Sequence, residues 1–170
     1  MVTRLLDFWD SSTPALLFTL AATAYLIWLA VVLSIIDIHT HTLPNRYVLP
    51  AYPIAGALLL AAALAAGMPM YAAVALGGAV AMGALYWLLW VLYPAGMGFG
   101  DVKLAGVLGL FLGFLGWQHV LVGVAAGFVV GGLWGITLIA TRRGTAKTAI
   151  PFGPSMLAGT LATMLLVPVA

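Results

Sequence analysis

Residues 14–36, PALLFTLAATAYLIWLAVVLSII, contain no charged side chain and end directly on Asp37. At ~1.5 Å per residue such a helix is about 34 Å long, enough for the ~30 Å hydrocarbon core of a bilayer. The run lacks the polar–apolar alternation that a membrane β-barrel needs. It therefore reads as a transmembrane helix, and the rest of the chain repeats the pattern.

Further apolar runs predict spans over about 48–66, 70–92, 101–117, 119–140 and 151–169. The chain of 170 residues is 65% hydrophobic and only 6% charged. A soluble domain carries roughly 25% charged residues and could not be built from this composition. The expected fold is an all-α integral membrane protein, a bundle of about six transmembrane helices with short links. Residues 1–13 read as a short extracytoplasmic interfacial segment, with Phe8 and Trp9 at headgroup level. Residues 14–170 read as one polytopic membrane domain. The first ten residues lack the basic start and short apolar region of a secretory signal.

Several features refine this outline. Pro50 and Pro53 fall in the first turns of the second predicted span, where a missing N–H does least harm. Tyr86, Trp90 and Tyr93 share one face near the end of the third, as an aromatic belt would. The fourth is short, which predicts that its start is shielded by protein. Gly123, Gly127, Gly131 and Gly135 form a stripe on the fifth, matched by Gly109 and Gly113 on the fourth. Such stripes let helices approach closely in lipid, within one bundle, between two copies of the chain, or around a substrate helix.

Net charge is +2, too small and dispersed for nucleic-acid binding. The absence of Cys excludes disulfides, thiolate metal sites and a cysteine nucleophile. The links after the first, third and fifth spans hold Arg46, Lys103, Arg142, Arg143 and Lys147, whereas the other side has only Arg4. The positive-inside rule then puts the three charged links in the cytoplasm and both termini outside. Arg142, Arg143 and Lys147 serve this topology and contact with anionic membrane lipid.

Asp37 and Asp101 are the acidic residues beyond the N-terminal segment, and both border cytoplasmic links. They are thus expected at one membrane level, where paired carboxylates could share a proton and activate water. Asp37 lies at a helix C-terminus and Asp101 at a helix N-terminus, so the dipoles favour Asp101 as the anion and water-activating base. Gly98 and Gly100 are expected to supply unusual backbone geometry or close approach to a substrate strand.

The pattern of these residues resembles the type IV prepilin peptidases, membrane aspartic proteases of the Gly-x-Gly-Asp class. Asp37 is followed after five residues by Leu43-Pro44-Asn45, like the family's Asp and Leu-Pro-Asp or Leu-Pro-Asn. Gly96-Met97-Gly98-Phe99-Gly100-Asp101-Val102-Lys103-Leu104 is similar to its Gly-Met-Gly-x-Gly-Asp-x-Lys-Leu. Pro151-Phe152-Gly153-Pro154 matches its Pro-Phe-Gly-Pro. The resemblance implies an endopeptidase that removes the basic leader from prepilins or pseudopilins. The cut falls after a Gly at the cytoplasmic face of the inner membrane, and Asp37 and Asp101 are the catalytic pair. It implies no cofactor and no metal. Longer members carry paired Cys-x-x-Cys motifs tied to N-methylation, so the lack of Cys argues against methyltransferase activity.

Other readings attach to the same residues. His39 and His41 could join Asp37 as metal ligands, although alternate spacing in a polar link suits solvated histidines better. Lys103 does not share a helix face with Asp101. It either packs or anchors phosphate at the interface, or its charge tunes the aspartate pair or steadies the glycine link. A small proton-coupled transporter or channel is the alternative function, since intramembrane Asp residues suit it as well.

Overall fold

The structure is a computed structural model that describes residues 1–94, 96–142 and 151–169. Arg143 and Lys147 of the basic link lie outside the described residues. The elements are α1 (Val2–Ser11), α2 (Thr13–Thr40), α3 (Asn45–Ala65), α4 (Met70–Leu92), α5 (Phe99–Leu115), α6 (Trp117–Ala140) and α7 (Phe152–Leu166). Helices α2 to α7 correspond to the six expected spans, and α2, α3, α4 and α6 are long and apolar enough to cross a membrane. The protein is an all-α membrane protein.

Helix α5 is the centre of the bundle. Fourteen of its 17 residues are buried, on every face, as expected of a helix that is hydrophobic all round and enclosed by others. At ~1.5 Å per residue it is about 25 Å long, short of the hydrocarbon thickness. From Leu104 to Leu115 every residue is buried against neighbouring helices and not lipid, which removes the need to match it, while Phe99 at its start is 45% exposed.

Glycines set the closest contacts. Side-chain atoms on Gly78 or Gly109 would collide with the facing backbone of α5 or α4, and a Cβ on Gly113 would lie 2.9 Å from the Cα of Ala75. Gly109 and Gly113 therefore serve the α4–α5 seam and not α6, with which the sequence pattern had matched them. On α6, Gly123 makes room for Leu112, Gly127 faces Met156 and Gly159, and Gly131 faces Phe152 and Ser155. Three glycines of the α6 stripe are thus used inside this chain. Gly116, at φ 126°, forms the tight break between α5 and α6, a backbone region that side chains rarely adopt.

Three local expectations change. Helix α3 begins at Asn45, so Pro50 and Pro53 lie inside it and not in its first turn. Tyr86 is not part of a belt: it is 1% exposed, and its ring stacks 5.7 Å from that of Phe128. Phe8 is buried in the core, although its neighbour Trp9 is 72% exposed.

At the end of the bundle where α1 lies, polar contacts tie the helices together. Arg4 is buried, donates from Nη1 to the Tyr71 hydroxyl at 2.7 Å and lies 3.9 Å from the centroid of that ring. Ser12 donates to the carbonyl of Ala65 at 3.0 Å. The other end, where α2 finishes and α5 and α7 begin, holds the candidate site.

Candidate active site

Helix α2 continues past Ile36 to Thr40, so Asp37 lies inside its last turns and not beyond its end. Its carboxylate is buried and accepts a hydrogen bond from the N–H of Gly153 at 3.1 Å. Gly153 is the second residue of α7, where helix N–H groups have no partner within the helix. A Cβ on Gly153 would lie 2.8 Å from Asp37 Oδ2 and 3.2 Å from Leu43 Cδ2, so only glycine brings this backbone so close to the carboxylate.

Asp101 is the third residue of α5 and is also buried. Its Oδ2 accepts the N–H of Gly98, the N-cap, at 3.1 Å. Asp37 and Asp101 line one cavity of about 250 Å³ together with His41, Thr42, Leu43, Gly98, Phe99 and Gly100. The shared level inferred from the charged links thus corresponds to a shared pocket. The dipole argument changes, however. Asp37 is near the C-terminus of its own helix, yet its oxygen sits on the N-terminal turn of α7. Both carboxylates therefore meet the positive end of a helix, and the macrodipole no longer separates their roles.

Leu43 joins the three motifs. A Cβ on Gly100 would come within 2.9 Å of Leu43 Cβ, and Gly153 packs on its other side. Pro44 caps α3 with an extended backbone, and its carbonyl accepts the N–H of Tyr47 at 3.0 Å. Asn45 Oδ1 accepts a hydrogen bond from Lys103 Nζ at 2.9 Å, and the same ammonium lies 4.9 Å from the centroid of the Phe99 ring. These contacts tie the start of α5 to the start of α3 and to Phe99. They also explain why Asn or Asp suits position 45, since either offers an oxygen to the ammonium.

The glycines act by the volume they leave. Gly98 has φ −73° and ψ 147°, ordinary extended backbone, so the expectation of special dihedrals there does not hold. Pro151 caps α7, with φ −64° and ψ 113°, and Pro154 occupies its first turn, where a missing N–H is tolerated. Phe152 points away from the cavity, with its ring 5.4 Å from that of Phe128 and 6.2 Å from that of Tyr86. This aromatic cluster fixes the start of α7, and with it the Gly153 N–H.

Two supporting residues escaped the sequence reading. The Tyr52 hydroxyl donates to the Lys103 carbonyl at 2.7 Å, tying α3 to the first turns of α5. Any Cβ on Gly106 would collide with that hydroxyl. The available signal was a lone tyrosine in an apolar helix and a glycine one turn after Lys103. The two histidines part company: His39 belongs to the last turn of α2, and His41 lines the cavity. Among the described residues no group of three potential ligands forms a metal site.

This architecture defines a polytopic helical membrane protein with two carboxylates in one pocket. The chain belongs to the type IV leader peptidase family, whose model matches residues 24–136. That span includes Asp37, Leu43 to Asn45 and Gly96 to Leu104. A prepilin leader peptidase/N-methyltransferase of Aeromonas salmonicida (strain A449) is 37% identical over 157 residues, covering 86% of this chain and 49% of that protein. Its namesake from Pseudomonas putida is 34% identical over 141 residues, covering 82% and 48%. That of Pseudomonas aeruginosa is 32% identical over 151 residues, covering 86% and 51%. The chain spans about half the length of these curated relatives. No solved structure matches it significantly.

Proposed function

We propose that the chain is a membrane aspartic endopeptidase that removes the leader from type IV prepilins or prepilin-like proteins. The observation that carries this reading is the single cavity lined by Asp37 and Asp101. One carboxylate accepts a proton from a water held between them, and the resulting hydroxide attacks the scissile carbonyl carbon. The other, as a carboxylic acid, protonates the carbonyl oxygen, giving a tetrahedral diol. Collapse of this intermediate breaks the C–N bond as a proton passes to the departing amine nitrogen. Two carboxylates sharing one proton suit both halves of this sequence.

Gly98, Gly100 and Gly153 keep the pocket walls low, and Leu43 and Lys103 hold the three motifs together. Arg46 and Lys103 lie at the cavity end, so the positive-inside rule puts the cut at the cytoplasmic face of the inner membrane, with both termini on the other side. The reading covers the peptidase reaction alone, because hydrolysis is what this carboxylate pair can perform. Co-expression with candidate prepilins tests it through the electrophoretic shift of leader removal. Cleavage is expected from the wild type and lost in Asp37→Asn and in Asp101→Asn. Cleavage persisting in either variant would remove that residue from the pair. A wild type that cleaves no co-encoded prepilin would favour the transporter alternative.

A further inference from the structure

Gly123, Gly127 and Gly131 of the α6 stripe are filled from within the chain, so a partner inside the bilayer has to meet another face. Helix α2 offers one. Thr23, Ile27, Ala30, Ser34, Asp37 and His41 follow one another at intervals of four and three residues and so share one side of the helix. Asp37 and His41 line the carboxylate cavity. Ile27, Ala30 and Ser34 line a groove of about 370 Å³ against α7. Thr23 and Ile27 line a second, of about 350 Å³, further from the site.

The two grooves share Ile27 and Leu161 and form one furrow, and no charged side chain lines either. Its other wall is α7, where Pro154, Ala158, Leu161 and Leu165 repeat the four-three-four spacing. Pro154 directly follows Gly153, whose N–H is bonded to Asp37. Val31 and Ile35 form the outer rim, each 55% exposed. The furrow thus starts beside Asp37 and runs into the bilayer, and Val2 and Leu5 of α1 line its far end. From Thr23 to Asp37 it rises about 21 Å at ~1.5 Å per residue.

We propose that the furrow between α2 and α7 docks the apolar helix of the protein substrate, the segment just past the cut, and so presents the scissile bond to Asp37 and Asp101. The inference rests on the reading of the chain as an endopeptidase and adds where its substrate lies. A polypeptide entering hydrocarbon must satisfy its own backbone N–H and C=O groups, which a helix does. Ridges spaced by four and three residues receive a helix that runs nearly parallel to them, crossing at about 20°. Ala30, Ser34 and Ala158 are small enough to let its backbone come close. A further apolar cavity, of about 220 Å³, lies between α3 and α4 over Leu110. Leu110 is about 13 Å along α5 from Asp101, so a helix seated there would not deliver its end to the carboxylates.

Photo-crosslinking tests the occupant. A benzoylphenylalanine is placed at Val31 or Ala158, or at Val80 or Leu121, which lie on α4 and α6 and are each 71% exposed. The full chain also carries Asp101→Asn and shares its membranes with a co-encoded prepilin. Illumination is expected to join the prepilin, through its apolar helix, to positions 31 and 158 and not to 80 or 121. Adducts at 31 and 158 with lipid alone, or with a second copy of the chain, would overturn the proposal, as would equal yields at all four positions.

A kinetic measurement needs no crosslinker. Ala158→Trp fills the furrow from an exposed position, so thermal stability is expected to stay near wild type. Its kcat/KM for full-length prepilin is expected to fall about tenfold or more through overpacking. A short soluble peptide that spans the cut and stops before the helix is expected to be cleaved as by the wild type. An unchanged kcat/KM for prepilin, or an equal loss on both substrates, sinks the docking role. A wild type that cleaves prepilin but gives no adducts at 31 and 158 keeps the endopeptidase and removes the furrow. Adducts there in a protein that cleaves nothing keep the furrow and remove the endopeptidase reading.

Discussion

The two ends of the bundle bury polar groups in opposite ways. Around Arg4 and Tyr71 the polar atoms are packed into protein, cation against ring and hydroxyl, and act as a clasp between α1 and α4. Around Asp37 and Asp101 each carboxylate receives one backbone N–H and keeps the rest of its hydrogen-bonding capacity for an open pocket. A carboxylate can accept about four hydrogen bonds, so both are held in place and left free to bind more. A polar contact packed into protein ties helices together, although Arg4 Nε has no partner there, and one that opens on a pocket can perform chemistry.

If that contrast is right, substitutions at the two ends have different readouts. The largest effect is expected from Asp37→Asn and Asp101→Asn, each losing at least about 10²-fold in cleavage rate, the scale of general acid–base catalysis, with thermal stability in detergent little changed. Gly153→Ala comes next. Its methyl group would meet Asp37 Oδ2 and Leu43, so cleavage is expected to fall about tenfold or more, with a loss of about 1–3 kcal/mol in stability from overpacking. At the α4–α5 seam, Gly109→Ala is expected to cost a similar 1–3 kcal/mol, while activity per folded molecule stays near wild type. Arg4→Met should lower stability by about 1–2 kcal/mol through the lost hydrogen bond and ring contact and leave cleavage unchanged. Asn45→Asp is the mildest, within about 0.5 kcal/mol, because the new carboxylate still accepts from Lys103 at an exposed site. A cleavage defect in Arg4→Met as large as that in Gly153→Ala would erase the distinction between the ends.

The candidate site was legible in the sequence to an uneven degree. Asp37, Asp101 and Leu43 stood out because charge and Leu-Pro-Asn are rare in an apolar chain, and the link charges put both aspartates at one end. The contact of Lys103 with Asn45 could not be read, because it depends on how the starts of α3 and α5 meet. Tyr52, Gly106 and the orientation of His41 could not be read, since each depends on which face of a helix meets which neighbour. Tyr86 was misread for the same reason: an aromatic near a span end looks alike whether it faces lipid or the core.

What the sequence determined by itself was the number and order of the six apolar helices α2 to α7 and which links are expected to share a side. These follow from the transfer of apolar residues into hydrocarbon and from the cost of moving charge across it. Only the tertiary structure decided that α5 sits at the centre, that α4 closes on it through glycine, and that Asp37 rests on the start of α7. In lipid both faces of a helix are apolar, so no hydrophobic stripe marks the inner one. Van der Waals fit and a few buried hydrogen bonds choose it instead, and those exist only once the helices have met.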